Sequence, residues 1–511
     1  MHGAGRKWGE VMELLLALDM GTTHIKAVAF TLEGAVRAQE LIRNEAATVG
    51  PGSAVYDPQE LWARAAELLR RTTSRLDKND KIAALSVASM GEAGLFIDEK
   101  GNPLTPIMAW LDIRGKEVME EWYNLVPPER CFQATGLNYN YIYSAYKILW
   151  HKKHDREAFD RGAKWLCVPD YIYYRLTGEY ATDYSIASRT MLFDIHQRQW
   201  SEELLALAGL RQKSLPTPCQ SGTVIGQVTA RAAAETGLEV GIPVVAGGHD
   251  HICGAFAAGV IEPGKVLDSM GTSESLVAAF SMEGNVDISR MQGFNVGCHV
   301  VPGCHYIHGG VDSGGISFEW FRETFEEGKD YGVLVEQARS APLGAQGMFF
   351  IPHLRGGSPP VRDPYSKAGF VGVRDFHTKA DFIRSIHEGL ACEVAQILRT
   401  METVLGVEFS EVYAIGGGTK NPLWMEIKSH VFGRPINVPE ITEATLLGAA
   451  LLAGVGAGIY KSYREAVVSA SRMANRYLPG PDLQKKYQEV CSKYVQIAPL
   501  MREISRIVGE F

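Results

Sequence analysis

The sequence predicts an α/β protein of two similar halves, each opening on a β-hairpin. Three observations predict it. Near the start the chain reads "LLLALDMGTTHIKAVAF", and roughly 250 residues later "GKVLDSMGTSESLVAAF", the same phrase with Ser269 inserted. After each copy, helix-period segments alternate with short buried-strand runs. The length of 511 residues, with 46% apolar and 22% charged residues, suits two or three globular domains with a large core.

The elements follow in order. Residues 14–18 form an apolar run that reads as a buried strand. A glycine turn leads to a second run from Ile25 to Phe30, and "LEGAV" turns the chain again. "PQELWARAAELLRR" carries Leu61, Ala65, Leu68 and Leu69 on one helical face, and "KIAALSVAS" is the next buried strand. From Trp110 to about Trp200 the chain is aromatic-rich and reads as an insertion of several helices. "GIPVVAGGHDHICGAFAAGV" is strand, glycine turn and helix, and "IEPGKV" leads into the second hairpin. The boundary is placed there, near residue 260, giving halves 1–260 and 261–511. In the second half "ADFIRSIHEGLACEVAQILRTMETVL" is a long amphipathic helix with Ile386, Leu390, Val394, Ile397 or Leu398, Met401 and Leu405 in register. "EVYAIGGG" is a strand entering a glycine turn, and "NPLWMEIKSHVFG" the following helix, closed by Gly433.

Composition narrows the function. The net charge of −8 argues against a nucleic-acid binder that works by neutralising phosphates. The eight cysteines are scattered without a CxxC pair and read as the reduced thiols of a cytoplasmic protein. "MHGAGRKWGEVMELLLAL" has too short an apolar run for a signal peptide. "LLGAALLAGVGAG" is too short and too rich in small residues for a membrane span, and suits tight helix packing.

A turn of the Asp-x-Gly-Thr-Thr kind gathers backbone N–H groups and Thr hydroxyls around a small volume that suits phosphate oxygens. The aspartate cannot bind phosphate itself, but it can hold Mg²⁺ directly or through water. Two such hairpins facing across a cleft would clamp a polyphosphate. The chain has no GxxxxGK[ST] loop, and no GxGxxG followed by an acidic residue about 20 positions on.

"LDMGTTHIKAVAF", "AWLDIRGKE", "GGHDHICGAFAAGV", "DSMGTSESL" and "IGGGTKNPLWMEIKSHVFGRPI" with "TEATLLGAALLAG" together resemble, in order, the motifs of the FGGY carbohydrate kinases. The resemblance runs from about residue 13 to 460. It implies two actin-like (ribonuclease H-like) lobes with a central ATP/sugar cleft. It implies that Asp250 is the general base, that Asp19 positions Mg²⁺, and that Lys26 stands near the transferring phosphoryl group. Gly21, Thr22 and Thr23 would contact that group, and Gly271 and Thr272 the β- and γ-phosphates. Gly314, Gly315, Gly417, Gly418 and Asn421 would line the adenosine pocket. Glu92, Trp110, Asp112 and Asn138 fall at sugar-contact positions, and His249 would touch a sugar hydroxyl or orient Asp250. The implied partners are ATP, Mg²⁺ and a small sugar, with no nucleic acid or membrane. Dimers are common in the resembled family, so the resemblance adds a second copy of the chain, in a homodimer, to the implied partners.

Asp250 at the end of a strand suits a projecting base in an α/β cleft, able to take the proton of an attacking hydroxyl. Gly91 departs from the arginine of glycerol kinases and Asn138 from their tyrosine, which argues against glycerol. Met90, Gly91 and Glu92 stand where xylulose kinases usually show Gln-Met-His, whereas "AWLDIR" is close to xylulose- and gluconate-type kinases. The expected acceptor is a five- or six-carbon ketose, with a sugar acid such as gluconate as the runner-up. A non-catalytic actin-like ATP switch is the reading from another class, but a switch does not need a base beside a hydroxyl pocket. His249 and His251 flank Asp250, yet Mg²⁺ prefers oxygen ligands. Cys298, His299, Cys304, His305 and His308 are zinc-type residues. Their adjacent pairing, however, suits a hairpin turning at Pro302-Gly303. "IPHLRGGSPPVRDPYSKAGFVGV" reads as a second-lobe loop without an assigned role.

The two hairpins are expected to differ. The first keeps Asp-x-Gly with Lys26 behind it. In the second, Ser269 is inserted and Leu276 stands in register with Lys26, which suits phosphate donors without a metal.

Overall fold

The computed structural model describes residues 11–283, 286–441 and 443–509, so most of the N-terminal stretch judged too short for a signal peptide lies outside them. One sheet is built from β1 (Met12–Met20), β2 (His24–Thr31), β3 (Val36–Arg43), β4 (Asp80–Ser89), β5 (Val224–Gln227) and β6 (Pro243–His249). The other is built from β7 (Lys265–Met270), β8 (Glu274–Ser281), β9 (Asn295–Cys298), β10 (Cys304–Val311), β11 (Glu411–Ile415), β12 (Ile436–Pro439) and β13 (Met473–Tyr477). The helices that matter below are α1 (Pro58–Ser74), α2 (Ser144–His154), α3 (Asp250–Ala257) and α4 (Gly314–Phe325), then α5 (Lys379–Leu405), α6 (Pro422–Phe432), α7 (Ala444–Gly456) and α8 (Pro481–Val508).

The strand orders are β5-β6-β4-β1-β2-β3 and β9-β10-β8-β7-β11-β12-β13. Without β9, the second sheet repeats the first. Read from β3 and from β10, both run antiparallel, antiparallel, parallel, parallel, antiparallel. The two Met-Gly-Thr hairpins, β1–β2 and β7–β8, occupy equivalent places in this pattern. The duplication inferred from the sequence is therefore a duplication of topology.

Several elements form for the reasons read from the sequence. α1 buries Leu61, Ala65, Leu68 and Leu69 as its spacing implies, and the structure adds a cap the sequence reading did not name, Asp57 accepting from the N–H groups of Gln59 and Glu60. α5 buries Ile386, Leu390, Val394, Ile397, Leu398 and Met401, and ends at Gly406 in the left-handed region. α6 ends the same way at Gly433. The segment from Trp110 to Trp200 is the expected helical insertion, with α2 among its helices. The hairpin at Pro302-Gly303 is also present, pairing Cys298 with His305. Its His299 and His305 ring nitrogens contact the backbone of Val301 and Ile195.

Both faces of β1 are buried, as for an interior strand. Leu14, Leu16 and Leu18 pack into one core with α1, while Leu15 and Ala17 pack into another with α3 and α7. That second core also contains Leu267, Val277 and Ala279 of the other sheet, so it joins the two lobes. "LLGAALLAGVGAG" forms most of α7 and runs two residues past its end, and the helix packs against α3, β1, β4 and β6. Its small residues permit this: a Cβ on Gly448 would run into the carbonyl oxygen of Cys253 in α3. Among the described residues no helix is long and apolar enough to cross a membrane.

The inserted Ser269 has a structural consequence. Side chains alternate across a strand, so one extra residue moves its neighbour to the opposite face. Asp19 lies between Ala17 and the glycine turn, on the face that meets the interlobe core. Asp268 falls with Val266 and Met270 on the other face, toward a different core that holds Ile386, Leu390 and Trp424 of α5 and α6. There it is fully buried and bound by Lys428 of α6 at 2.6 Å. Lys428 also pairs with Glu274, opposite Met270 in the hairpin. The second hairpin thus keeps the aspartate of the repeated phrase but turns it away from the cleft.

The cysteine expectation is corrected. Cys392 of α5 and Cys491 of α8 form a disulfide, whereas Cys131, Cys167, Cys219, Cys253, Cys298 and Cys304 are free thiols. Packing of α8 on α5 brings together two residues 99 positions apart, a pairing that spacing does not reveal. Such a staple stabilises by about 2–4 kcal/mol. A reducing agent is therefore expected to lower the melting temperature of the wild type in scanning calorimetry. A Cys491→Ala variant should melt lower from the outset and not respond.

Candidate functional site

A cavity of about 250 Å³ opens where the first hairpin, the end of β6 and the helical insertion converge. Its lining includes Thr22, Glu92, Trp110, Arg189, His249, Asp250, His251, Tyr306 and His308. β6 ends at His249 and α3 begins at Asp250, so the strand delivers the carboxylate to the cleft and the helix N-terminus favours its negative charge. Burial opposes ionisation of Asp250. His249, His251 and the backbone N–H of His251, which donates to Oδ1 at 2.6 Å, together hold its pKa below the ordinary value. His249 Nδ1 lies 3.2 Å from the same oxygen without forming a hydrogen bond. Burial lowers the His249 pKa to about 4. His308 is pushed well below its ordinary value, chiefly by burial, and its Nε2 contacts the Ser275 hydroxyl at 2.7 Å.

The first turn is held from three sides. Trp110 donates from Nε1 to the Thr22 hydroxyl at 2.9 Å, Tyr56 donates to the Thr22 carbonyl at 3.1 Å, and Asn44 donates to the Gly21 carbonyl at 2.8 Å. Thr23 stays at the surface, its hydroxyl against the His24 ring. Beside this turn, Asp19 Oδ1 is buried and has no hydrogen-bond partner. Burial, then the negative charge of Asp250, push the Asp19 pKa up to about 8 against the pull of Lys26. Lys26 stands opposite Asp19 in the hairpin, and both carboxylate oxygens of Glu443 receive its ammonium, at 3.1 and 3.0 Å. Glu443 immediately precedes α7, whose Thr445 hydroxyl donates to the Asp250 carbonyl at 3.3 Å.

The second hairpin tip gathers a separate group. The N–H groups of Gly315 and Ile316 donate to the carbonyls of Gly271 and Thr272, at 3.0 and 2.9 Å, which docks the start of α4 on the turn. A Cβ on Gly315 would strike the Gly271 carbonyl, and one on Gly314 would lie 2.8 Å from the Glu274 nitrogen. Gly418 abuts Met270, just before the turn, while Gly417 borders open space.

Asp112 and Asn138 do not line this cavity, and Asn421 sits beside Gly418, its N–H donating to the Gly418 carbonyl at 3.0 Å. Asp112 is fully buried outside the cavity, where its carboxylate receives the Ala54 N–H at 3.0 Å and the Arg114 guanidinium. Asn138 clamps another segment, donating to the Phe294 carbonyl at 2.6 Å and accepting from the Gly293 N–H at 3.2 Å. Asn421 caps α6 through the Trp424 N–H and contacts His387. Conversely, sequence reasoning missed Arg189, Tyr306, His308 and Glu443. Arg189 had one faint signal, a lone charge in the run "SIASRTMLF".

A carboxylate facing a small cavity can take a proton from a bound hydroxyl. The adjoining glycine turns can present donors to phosphates, and the partnerless Asp19 oxygen can meet a cation. Profiles of the FGGY family of carbohydrate kinases match the chain in two parts, the N-terminal domain over residues 14–257 and the C-terminal domain over 267–457. The xylulose kinase of Staphylococcus epidermidis is 28% identical, the alignment covering 97% of this chain and 98% of that protein. The L-fuculokinase of Escherichia coli (strain K12) is 30% identical, with 89% and 94% covered. The crystal structure of xylulose kinase from Rhodospirillum rubrum superposes with a TM-score of 0.88 at 26% identity, covering 96% of this chain and 100% of that one. With its two-lobed fold, the chain belongs to the FGGY family of carbohydrate kinases, phosphotransferases that act on sugar hydroxyls.

Proposed function

We propose that the chain transfers the γ-phosphoryl group of ATP to a hydroxyl of a small uncharged sugar, a five- or six-carbon ketose such as xylulose. The observation that carries this reading is Asp250, held ionised on the wall of a 250 Å³ cavity beside the first phosphate turn. The acceptor hydroxyl lies against Asp250 and passes its proton to that carboxylate as its oxygen attacks. The first turn, with Thr22 fixed by Trp110, presents donors to the transferring group. Gly271 and Thr272 hold the remaining phosphates, and the glycines 314, 315, 417 and 418 border the adenosine. Lys26 reaches the transferring group by exchanging Glu443 for phosphate oxygens. The two family matches, ending at 257 and starting at 267, support a domain division near residue 260.

The partnerless Oδ1 of Asp19, whose ionisation burial and Asp250 disfavour, is what a site for a divalent cation looks like without the cation. Asp19 would hold Mg²⁺ together with water and phosphate. The cation would neutralise charge on the phosphates. No group of three or more His, Cys, Asp or Glu side chains poised for a metal occurs among the described residues, in keeping with a cation held largely by the nucleotide.

Charge favours a neutral sugar over a sugar acid. Apart from its histidines, the lining carries two carboxylates, Glu92 and Asp250, against one guanidinium, Arg189, a balance of −1. A substrate carboxylate entering this cavity meets repulsion on two sides. A panel of ketoses, polyols and sugar acids in a coupled ADP-release assay tests the reading. The highest kcat/KM is expected with a five- or six-carbon ketose. Preference for a sugar acid would overturn it.

A further inference from the structure

Arg189 is the one guanidinium among the residues that line the sugar-sized cavity. It belongs to a 3-10 turn, Ser188–Thr190, and is only 7% exposed. Its Nε donates to Glu92 Oε1 at 2.6 Å, and its Nη2 reaches the same oxygen. The guanidinium also lies over the Tyr143 ring, 5.2 Å from the centroid, and beside the Tyr306 hydroxyl. A guanidinium offers five N–H donors in a rigid fork. The two directed at Glu92 share one oxygen, so Glu92 Oε2 stays outside that contact.

Stability alone does not account for this pair. A buried ion pair seldom stabilises more than an apolar pair of the same shape. The backbone is also held in uncommon conformations on both sides: Glu92 has φ 64°, and Met191, which ends the Arg189 turn, has φ 63°. Residue 91 has no side chain, and the space a Cβ would need there is filled. Such a Cβ would lie 2.9 Å from His249 Cδ2 and 3.2 Å from Arg189 Cγ. The cavity wall is thus built around Arg189 and His249.

We propose that Arg189 is a specificity-determining residue of the sugar site: it donates to one oxygen of the substrate while Glu92 accepts from the neighbouring hydroxyl. This rests on reading the cavity as the sugar site. The pair distinguishes adjacent oxygens by role. The oxygen facing Arg189 must accept, and the one facing Glu92 must donate. A carbonyl next to a hydroxyl, the head of a ketose, meets both demands at once. A polyol meets them only when one hydroxyl turns its lone pairs to Arg189. A carboxylate meets Arg189 but is repelled by Glu92 and Asp250.

The test compares the wild type with Arg189→Lys and with the double variant Glu92→Gln/Arg189→Met, which removes both charges of the pair together. Each is assayed with MgATP on a ketose, the matching polyol and the matching sugar acid, with thermal melting and ATP binding as fold controls. Lysine keeps the charge but loses the fork, so Arg189→Lys is expected to raise the ketose KM by about 100-fold with kcat within about threefold. The double variant is expected to melt near the wild type, bind ATP, and lose at least about 100-fold in ketose kcat/KM, with a smaller loss on the polyol. A folded, ATP-binding double variant with ketose kcat/KM within about threefold of the wild type overturns the assignment. Variants that lose melting temperature with every KM unchanged overturn it too, because Arg189 is then only structural. If the wild type phosphorylates no sugar of the panel, the reading of the cavity falls instead, before any substitution is compared.

Discussion

Replacing Asp250 with Asn is expected to lower kcat for sugar phosphorylation by about 10²–10⁴-fold while ATP still binds, as measured by coupled ADP release and by nucleotide titration. The amide keeps the shape of the carboxylate but cannot take the hydroxyl proton. The other contacts at that corner stay available: the His251 N–H can still donate to the amide oxygen, and the Thr445 hydroxyl donates to the backbone carbonyl, not to the side chain. The expected signature is therefore a fall in kcat larger than any change in KM. Near-normal turnover by a folded Asp250→Asn protein would remove Asp250 from the role of base.

The second large effect concerns stability. Lys428 stands between Asp268 and Glu274, and the side chains of all three are fully buried. Burial raises the Asp268 pKa against the pull of Lys428 and lowers that of Lys428 against the pull of Asp268. Replacing Lys428 with Met leaves two carboxylates in an apolar core without a counter-charge. Removing one partner of a buried ion pair typically costs about 3–5 kcal/mol. Chemical denaturation should show a loss of that order. A triple change, Lys428→Met with Asp268→Asn and Glu274→Gln, should recover much of it, since no buried charge then lacks a partner. A stable Lys428→Met single variant would mean that the carboxylates are reached by water or take up protons without cost.

The hairpins, the helices α1, α5 and α6 and the turn at Pro302-Gly303 were legible in the sequence because their signals are local. Periodicity or a terminal glycine lies within a few residues of what it explains. Asp250, Glu92 and Trp110 were legible through motif position, and the structure gathers them at one cavity. What escaped has distant partners. Glu92 and Arg189 are 97 positions apart and Lys26 and Glu443 417 apart, and no periodic pattern links such pairs. Asp112 shows the opposite case. Its motif position suggested a sugar contact, but Arg114, two residues on, takes its carboxylate. The repeated Leu-Asp phrase misleads in a similar way. The letters align, but a single extra residue turns the second aspartate into the core.

The crossing of α3 and α7 at Gly448 has a kinematic consequence. These helices carry, at their starts, Asp250 and the residues that follow Glu443. Points close to an axis of rotation travel least. If the lobes swing about this contact, the carboxylates of Asp250 and of Glu443, which holds Lys26, sit near the fulcrum and displace least.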